Sequence, residues 1–106
     1  MIVLKKTYRK YNGEYEYVQK YKDEKIVIYQ VNNNWFEVFK YRIHKPDKYH
    51  IDFYEKYPSD EDFGTWAWNI CNKDYIVETM LKDNEKILNK CHLTEDELQS
   101  IMKNIV

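Results

Sequence analysis

Glycine, proline, cysteine and serine are all scarce in this chain, two residues of each, and each shortage removes a class of explanation. So little glycine leaves no loop able to cradle a nucleotide phosphate. With as few prolines there is no material for a flexible linker or a low-complexity tail, so the whole chain is expected to be ordered. Ser59 lies in no glycine-flanked elbow, which argues against a serine hydrolase. Cys71 and Cys91 show no CxxC spacing, and both are expected as buried apolar thiols rather than zinc ligands or a redox pair. With no charged-then-apolar leader, they suggest an intracellular protein with reduced thiols. No apolar run approaches the roughly 20 residues that a membrane span needs, so no membrane association is expected.

What is abundant is aromatic and charged. The chain has 106 residues, of which 17% are Phe, Trp or Tyr. That length suits one domain, residues 1–106, with a core that needs no disulfide or metal. Net charge is only −1, but residues 1–50 hold eleven basic against six acidic side chains, and residues 51–106 hold six against twelve. Such asymmetry fits ordinary solvated faces, or a basic sheet surface and an acidic helical surface that each meet a partner of opposite sign.

The aromatic density peaks between Trp35 and Trp68, and large rings dominate any core they enter. Asn12-Gly13 between two alternating runs predicts a β-hairpin over 1–22, with Tyr8 opposite Tyr17, Arg9 opposite Glu16 and Leu4 opposite Tyr21. Residues 25–31 read as the next strand, and Asn32-Asn33-Asn34 as a three-residue loop that sets Val31 against Trp35 and Val27 against Phe39. The strand from Trp35 to Ile43 is then expected to turn through Lys45-Pro46-Asp47 into a strand over 48–55, with Tyr41 opposite Ile51 and Phe39 opposite Phe53. The core face would carry Val27, Val31, Trp35, Phe39, Tyr41, Ile43, Ile51 and Phe53, with Glu37 satisfied by the Tyr29 hydroxyl. Residues 57–64 read as a loop and 66–70 as a last short strand, with Trp66, Trp68 and Ile70 on one side.

From Asn72 the apolar period changes to that of a helix. A long helix over 73–91 is expected, with Ile76, Val77, Met80, Leu81, Ile87, Leu88 and Cys91 in one stripe. Thr94 and Glu97 form a capping box for a second helix over 94–105. The expected fold class is α+β: an antiparallel meander of about six strands, with residues 25–70 as its central sheet, packed by the long helix on its aromatic face and completed by a short C-terminal helix.

On these registers the reverse face presents Ile28, Phe36, Val38 and Tyr54, too apolar for a face left to water. Either the C-terminal helix or the N-terminal strand folds back over it, or it is a homodimer contact or a surface for another macromolecule. The acidic run Asp60-Glu61-Asp62 is a second candidate contact. It lacks the alternate-position ligands of a calcium loop. His44 and His50 share a face but supply only two ligands where zinc wants three or four. Cys91 with a histidine would be the one nucleophile pair, and its helical setting makes it core. No metal, cofactor or catalytic constellation is therefore expected. An alternative is single-stranded nucleic acid held on the hairpin, where Tyr8, Tyr15 and Tyr17 would stack bases and Arg9, Lys20 and Lys22 would track phosphates.

Two segments, Phe36-Glu37-Val38-Phe39-Lys40 and Tyr57-Pro58-Ser59-Asp60-Glu61-Asp62-Phe63-Gly64-Thr65-Trp66-Ala67-Trp68, followed by a helix, resemble an uncharacterised family of small proteins carried by phages and other bacterial mobile elements. The likeness covers residues 27–90 and leaves out the front hairpin and the helix from Thr94. That family has no established activity, so no functional residue carries over. The resemblance implies a context, the cytoplasm of a bacterial host, where small phage proteins block host machinery stoichiometrically, antiviral defence included, in the anti-CRISPR manner. The expectation is thus a non-enzymatic inhibitor or adaptor of a host protein complex, with the nucleic-acid binder and a homodimeric structural protein as alternatives.

Overall fold

In the computed structural model, which describes residues 1–82 and 87–105, the chain forms five antiparallel strands in sequential order, β1 (Thr7–Lys10), β2 (Tyr15–Lys22), β3 (Ile26–Val31), β4 (Trp35–Lys40) and β5 (Ala67–Ile70). Three helices follow: α1 (Ile76–Leu81), α2 (Ile87–Lys90) and α3 (Glu95–Asn104). The α+β class is as expected, and two hairpin registers are as the sequence implies. Asn12 and Gly13 take φ of 58° and 84°, the left-handed pair a two-residue hairpin turn requires, and Tyr8 meets Tyr17 and Arg9 meets Glu16. Asn32 and Asn33 are also left-handed, and Val31 meets Trp35 and Val27 meets Phe39.

The expected sixth strand does not form. Residues 48–55 make only isolated bridges, Asp47 with His50 and Tyr54 with both His44 and Ile2. The free edge of β4 goes instead to β5, which sets Phe36 against Ile70 and Val38 against Trp68. Two segments competed for one edge, and the later one matches large apolar side chains on the face that the helices cover. Ile51 is left wholly in solvent and Ile43 and Phe53 are about half exposed, so these three are not core.

The faces are also assigned differently from expectation. Ile26, Ile28, Phe36, Val38 and Ile70 pack against Ile76, Met80, Leu88, Cys91, Leu98 and Ile101. The helices therefore cover the reverse strip, with α3 among them as one of the expected readings had it, while the first helical segment lies there too rather than on the aromatic face. The aromatic face of Tyr17, Val27, Tyr29, Val31 and Phe39 is closed by residues 41–66, which cross it as a strap carrying Tyr57, Phe63 and Trp66. Trp66 thus packs opposite to Trp68, which sits with the helix cluster. Tyr57 is the hub, with ring centroids 5.0–5.6 Å from Tyr8, Tyr17, Tyr29 and Phe39.

A bulge at Lys20 accounts for a further departure. Gln19 pairs with Tyr29, but Tyr21 pairs with Ile28, so the extra residue reverses the alternation. Tyr21 moves to the helix side, away from Leu4. Lys22 moves to the strap side, where its ammonium lies 2.6 Å from the Glu55 carboxylate.

The long helix is replaced by shorter pieces: a 3-10 turn at Lys73–Tyr75, then α1, which ends where Lys82 turns extended at ψ 146°. Residues 83–86, the middle of the expected helix, lie outside the described residues. Its apolar stripe nevertheless packs as one cluster. At the end of α2, Leu93 N–H donates to Leu88 O and His92 N–H to Asn89 O, a Schellman turn with His92 at its left-handed position, φ 56°. The Thr94–Glu97 capping box is present in both directions.

Candidate functional site

The acids and aromatics of the strap side converge on a cavity of about 600 Å³. Its geometry follows from the two tight turns. Asn32 accepts from Glu16 N–H at 2.7 Å and donates to Glu14 O at 3.1 Å, tying the β1–β2 turn, with Tyr11 and Glu14, to the β3–β4 turn, which carries Trp35. Tyr11 stands edge-on to Tyr15 at 5.2 Å and Tyr15 edge-on to Trp35 at 5.8 Å. Phe63 and Asp60 come in from the strap. At the base lies Glu37, 7% exposed, which accepts from the Tyr57 hydroxyl at 2.6 Å and the Trp35 indole N–H at 3.1 Å. Tyr29, the donor expected for Glu37, donates instead to Lys5 O.

The electrostatics are one-sided. Glu14, Glu37 and Asp60 line the cavity and no basic side chain does. Burial first, and then the charge of Glu37, push the Tyr17 phenol up to about 12. Tyr57 is pushed far above the ordinary phenol value by burial and then by Glu37 beside it. Beside it lies Lys10, whose ammonium sits 4.7 Å from the Tyr17 ring centroid and 4.4 Å from that of Tyr57.

Of the residues singled out from the sequence, Ile28, Phe36 and Val38 are interior under the helices and offer no surface. Tyr54 is buried away from them: it stacks on His50 at 3.7 Å and His44 at 5.2 Å and donates to Asp47 at 2.8 Å. Asp47 is thereby held down to about 2, chiefly by its hydrogen bond with His50 and then by Tyr49 N–H and the Tyr54 hydroxyl. Burial, and then the neighbouring cations, lower His44. Among the described residues no group of three or more His, Cys, Asp or Glu side chains is placed to hold a metal. Asp60 and Glu61 are exposed on a 3-10 turn, while Asp62 caps it, accepting from Ser59 N–H and hydroxyl at 2.9 Å each.

The hairpin residues proposed for nucleic acid are largely engaged. Tyr17 is core, Tyr8 and Tyr15 pack against that core, Arg9 pairs with Glu16 at 2.7 Å and Lys22 with Glu55. Lys20 is the bulge residue. Cys91 is buried and its thiol is pushed up to about 11 by that burial, whereas Cys71 is exposed, contrary to expectation.

Sequence reasoning missed Tyr11, Glu14, Trp35 and Phe63 as cavity residues. One signal was present: Glu37 is the sole charged residue inside a strand otherwise reading Trp-Phe-Val-Phe, and a carboxylate there has to be held by donors. The strap presents a second surface, with Ile43, Tyr49, Ile51 and Phe53 exposed among Arg42, Lys45 and Lys48. No family model matches the chain, and neither the curated proteins nor the solved structures include a match.

Proposed function

We propose that this chain is a small non-enzymatic binding protein, encoded by a phage or another mobile element, that acts stoichiometrically as an inhibitor or adaptor of a bacterial host protein complex such as an antiviral defence system. The observation that supports docking is the exposure of Ile43, Tyr49, Ile51 and Phe53 in one connecting segment. Apolar side chains of this size gathered at a surface are characteristic of protein contacts. Arg42, Lys45 and Lys48 stand among them together with Asp47, which His50 holds, and Asp52, which the N-terminal ammonium holds, so the three cations left outside those pairs favour a partner patch that carries carboxylates. The acidic turn at Asp60–Asp62 lies on the same strap and extends the contact toward basic groups.

The test is capture of a protein partner at fixed stoichiometry from the bacterial host. Ile51→Asp and Phe53→Asp should abolish it, the former without lowering thermal stability, since Ile51 buries no surface in the monomer whereas Phe53 is half buried. A partner retained by both variants would remove the segment from the reading. A chain that captures no protein, and instead sediments as a dimer broken by Ile51→Asp, would replace the inhibitor with the homodimer. Binding of single strands that weakens steeply with salt would favour the nucleic-acid alternative.

A further inference from the structure

We infer that the cavity between the two hairpin turns and the strap binds an organic cation, an alkylammonium or guanidinium head on an apolar stem. This goes beyond the docking reading and, Asp60 apart, rests on a different part of the surface. Three observations point the same way. The walls include rings set steeply to one another, Tyr11 to Tyr15 at 78° and Tyr15 to Trp35 at 63°, so their faces point in more than one direction, and it is the face of a ring that attracts a cation. The floor is a buried carboxylate: Glu37 accepts one hydrogen bond on each oxygen, which leaves acceptor capacity on both. Among the described residues it takes part in no ion pair. The rim adds Glu14 and Asp60, so an approaching cation meets negative potential at entry and again at the base.

The same features exclude other ligands. Phosphates and carboxylates are repelled by three acids with no basic side chain in the lining. A hydrated metal ion gains nothing from aromatic walls and wants several converging oxygens, and here the described residues hold no such group. A volume of about 600 Å³ falls inside the usual range for small-molecule sites, roughly 300–1,000 Å³. The fold already uses this chemistry next door, where the Lys10 ammonium lies against the rings of Tyr17 and Tyr57. Glu37 also fixes the wall, because it holds the Trp35 indole by its N–H. The cation and the indole N–H thus meet the same carboxylate.

The experiment is a titration of the intact protein with tetramethylammonium, butylguanidinium and a blocked arginine peptide, followed through the Trp35 indole N–H resonance and by calorimetry. The neutral analogues 3,3-dimethylbutanol and butylurea serve as controls. Saturable shifts with the cations and none with the neutral analogues are expected. Affinity should fall as salt rises. Trp35→Leu should weaken binding roughly tenfold through loss of the ring face, with calorimetry as its readout. Glu14→Gln combined with Asp60→Asn alters only exposed side chains and should weaken binding several-fold without disturbing the fold. Glu37→Gln should abolish the preference for charged over neutral probes.

Tighter binding of the peptide than of butylguanidinium would assign the cation to a polypeptide side chain, and the reverse order to a free amine or guanidine. Equal response to neutral and charged probes, no response to any probe, or affinity unchanged in both the double rim variant and Glu37→Gln would overturn the inference. Because Ile51 and Phe53 are not part of this cavity, their variants should bind the probes normally. Failure of the cation site and failure of the docking reading are therefore told apart.

Discussion

On the helix side of the sheet, the buried cluster is apolar throughout: Ile26, Ile28, Phe36 and Val38 meet Ile76, Met80, Leu98 and Ile101. Across the same strands, the strap side buries tyrosines and two carboxylates, Glu37 and Glu55. Both carboxylates and several of the hydroxyls there have named partners. Tyr29 donates to Lys5 O, Tyr57 to Glu37, and Tyr41 to Glu55, which also accepts from Lys22 and from Leu4 N–H. The comparison separates two ways of closing a core. The aliphatic layer asks mainly for volume, and many residue sets satisfy it. The aromatic layer asks for particular donors opposite particular acceptors, and a partner lost there leaves a buried group unsatisfied.

The largest expected effects come from deleting volume on either side. Phe39→Ala should cost about 3–5 kcal/mol, and Leu98→Ala on the helix side about 2–4 kcal/mol, by urea denaturation. Phe39 is the larger because its ring also meets Tyr29, Tyr57 and Trp66. Similar losses alone would not distinguish the layers, so the polar substitutions matter more.

Lys22→Met should cost about 2–3 kcal/mol near neutral pH, below the full penalty for a broken buried pair because Lys22 keeps some contact with water. Its pH dependence is specific. Burial opposes ionisation of Glu55, but the hydrogen bonds from Lys22, Tyr41 and Leu4 N–H outweigh it and hold the carboxyl below its ordinary 4.5. The folded value is depressed, so this contribution is fully present above about 4.5 and is lost as pH falls through the lower folded value. The gap between Lys22→Met and the parent protein should therefore narrow in acid, whereas the Leu98→Ala gap should not.

A sharper contrast uses substitutions that scarcely change volume. Tyr57→Phe removes a donor from buried Glu37 and should cost about 1–3 kcal/mol, while Leu98→Met should cost less than about 1.5 kcal/mol. Equal small losses would mean that the strap side is as permissive as the helix side. The smallest effect is a gain. His92→Gly relieves a left-handed histidine at the end of α2, offset by a freer unfolded chain, and should add about 0.5 kcal/mol, read as a small rise in melting temperature.

Much of the strand pairing was legible because turn chemistry is local. Asn12-Gly13 and the asparagine run can adopt left-handed backbone, and once the turn is placed every opposed pair follows. Helix entry at Thr94 was equally local. The layering was not legible, because alternation says that a side chain is buried without saying what buries it. Val27 and Ile28 read as equally apolar, yet one meets tyrosines and the other helices. The pairing of β4 with β5 depended on a contest between distant segments, and Ile51 and Phe53 alternate as well as Trp68 and Ile70 do. The apolar stripe from Ile76 to Cys91 was read correctly as one face, but nothing in its period marks the extended residue at Lys82. The cavity was hardest, since its lining comes from three strands, the first hairpin turn and the strap, far apart in sequence, with Glu37 their one local sign.

The extra residue at position 20 sets which face each later side chain of β2 takes. The position opposes no partner across the ladder, so Lys20→Ala loses no strand pair and should cost little. Excising the residue would leave Tyr21 opposite Ile28 and Lys22 opposite Val27, so Tyr21 would stay with the helices and Lys22 beside Glu55. The faces would exchange only if the bulge were pulled flat with every residue kept, which would carry Tyr21 to the strap and Lys22 away from Glu55.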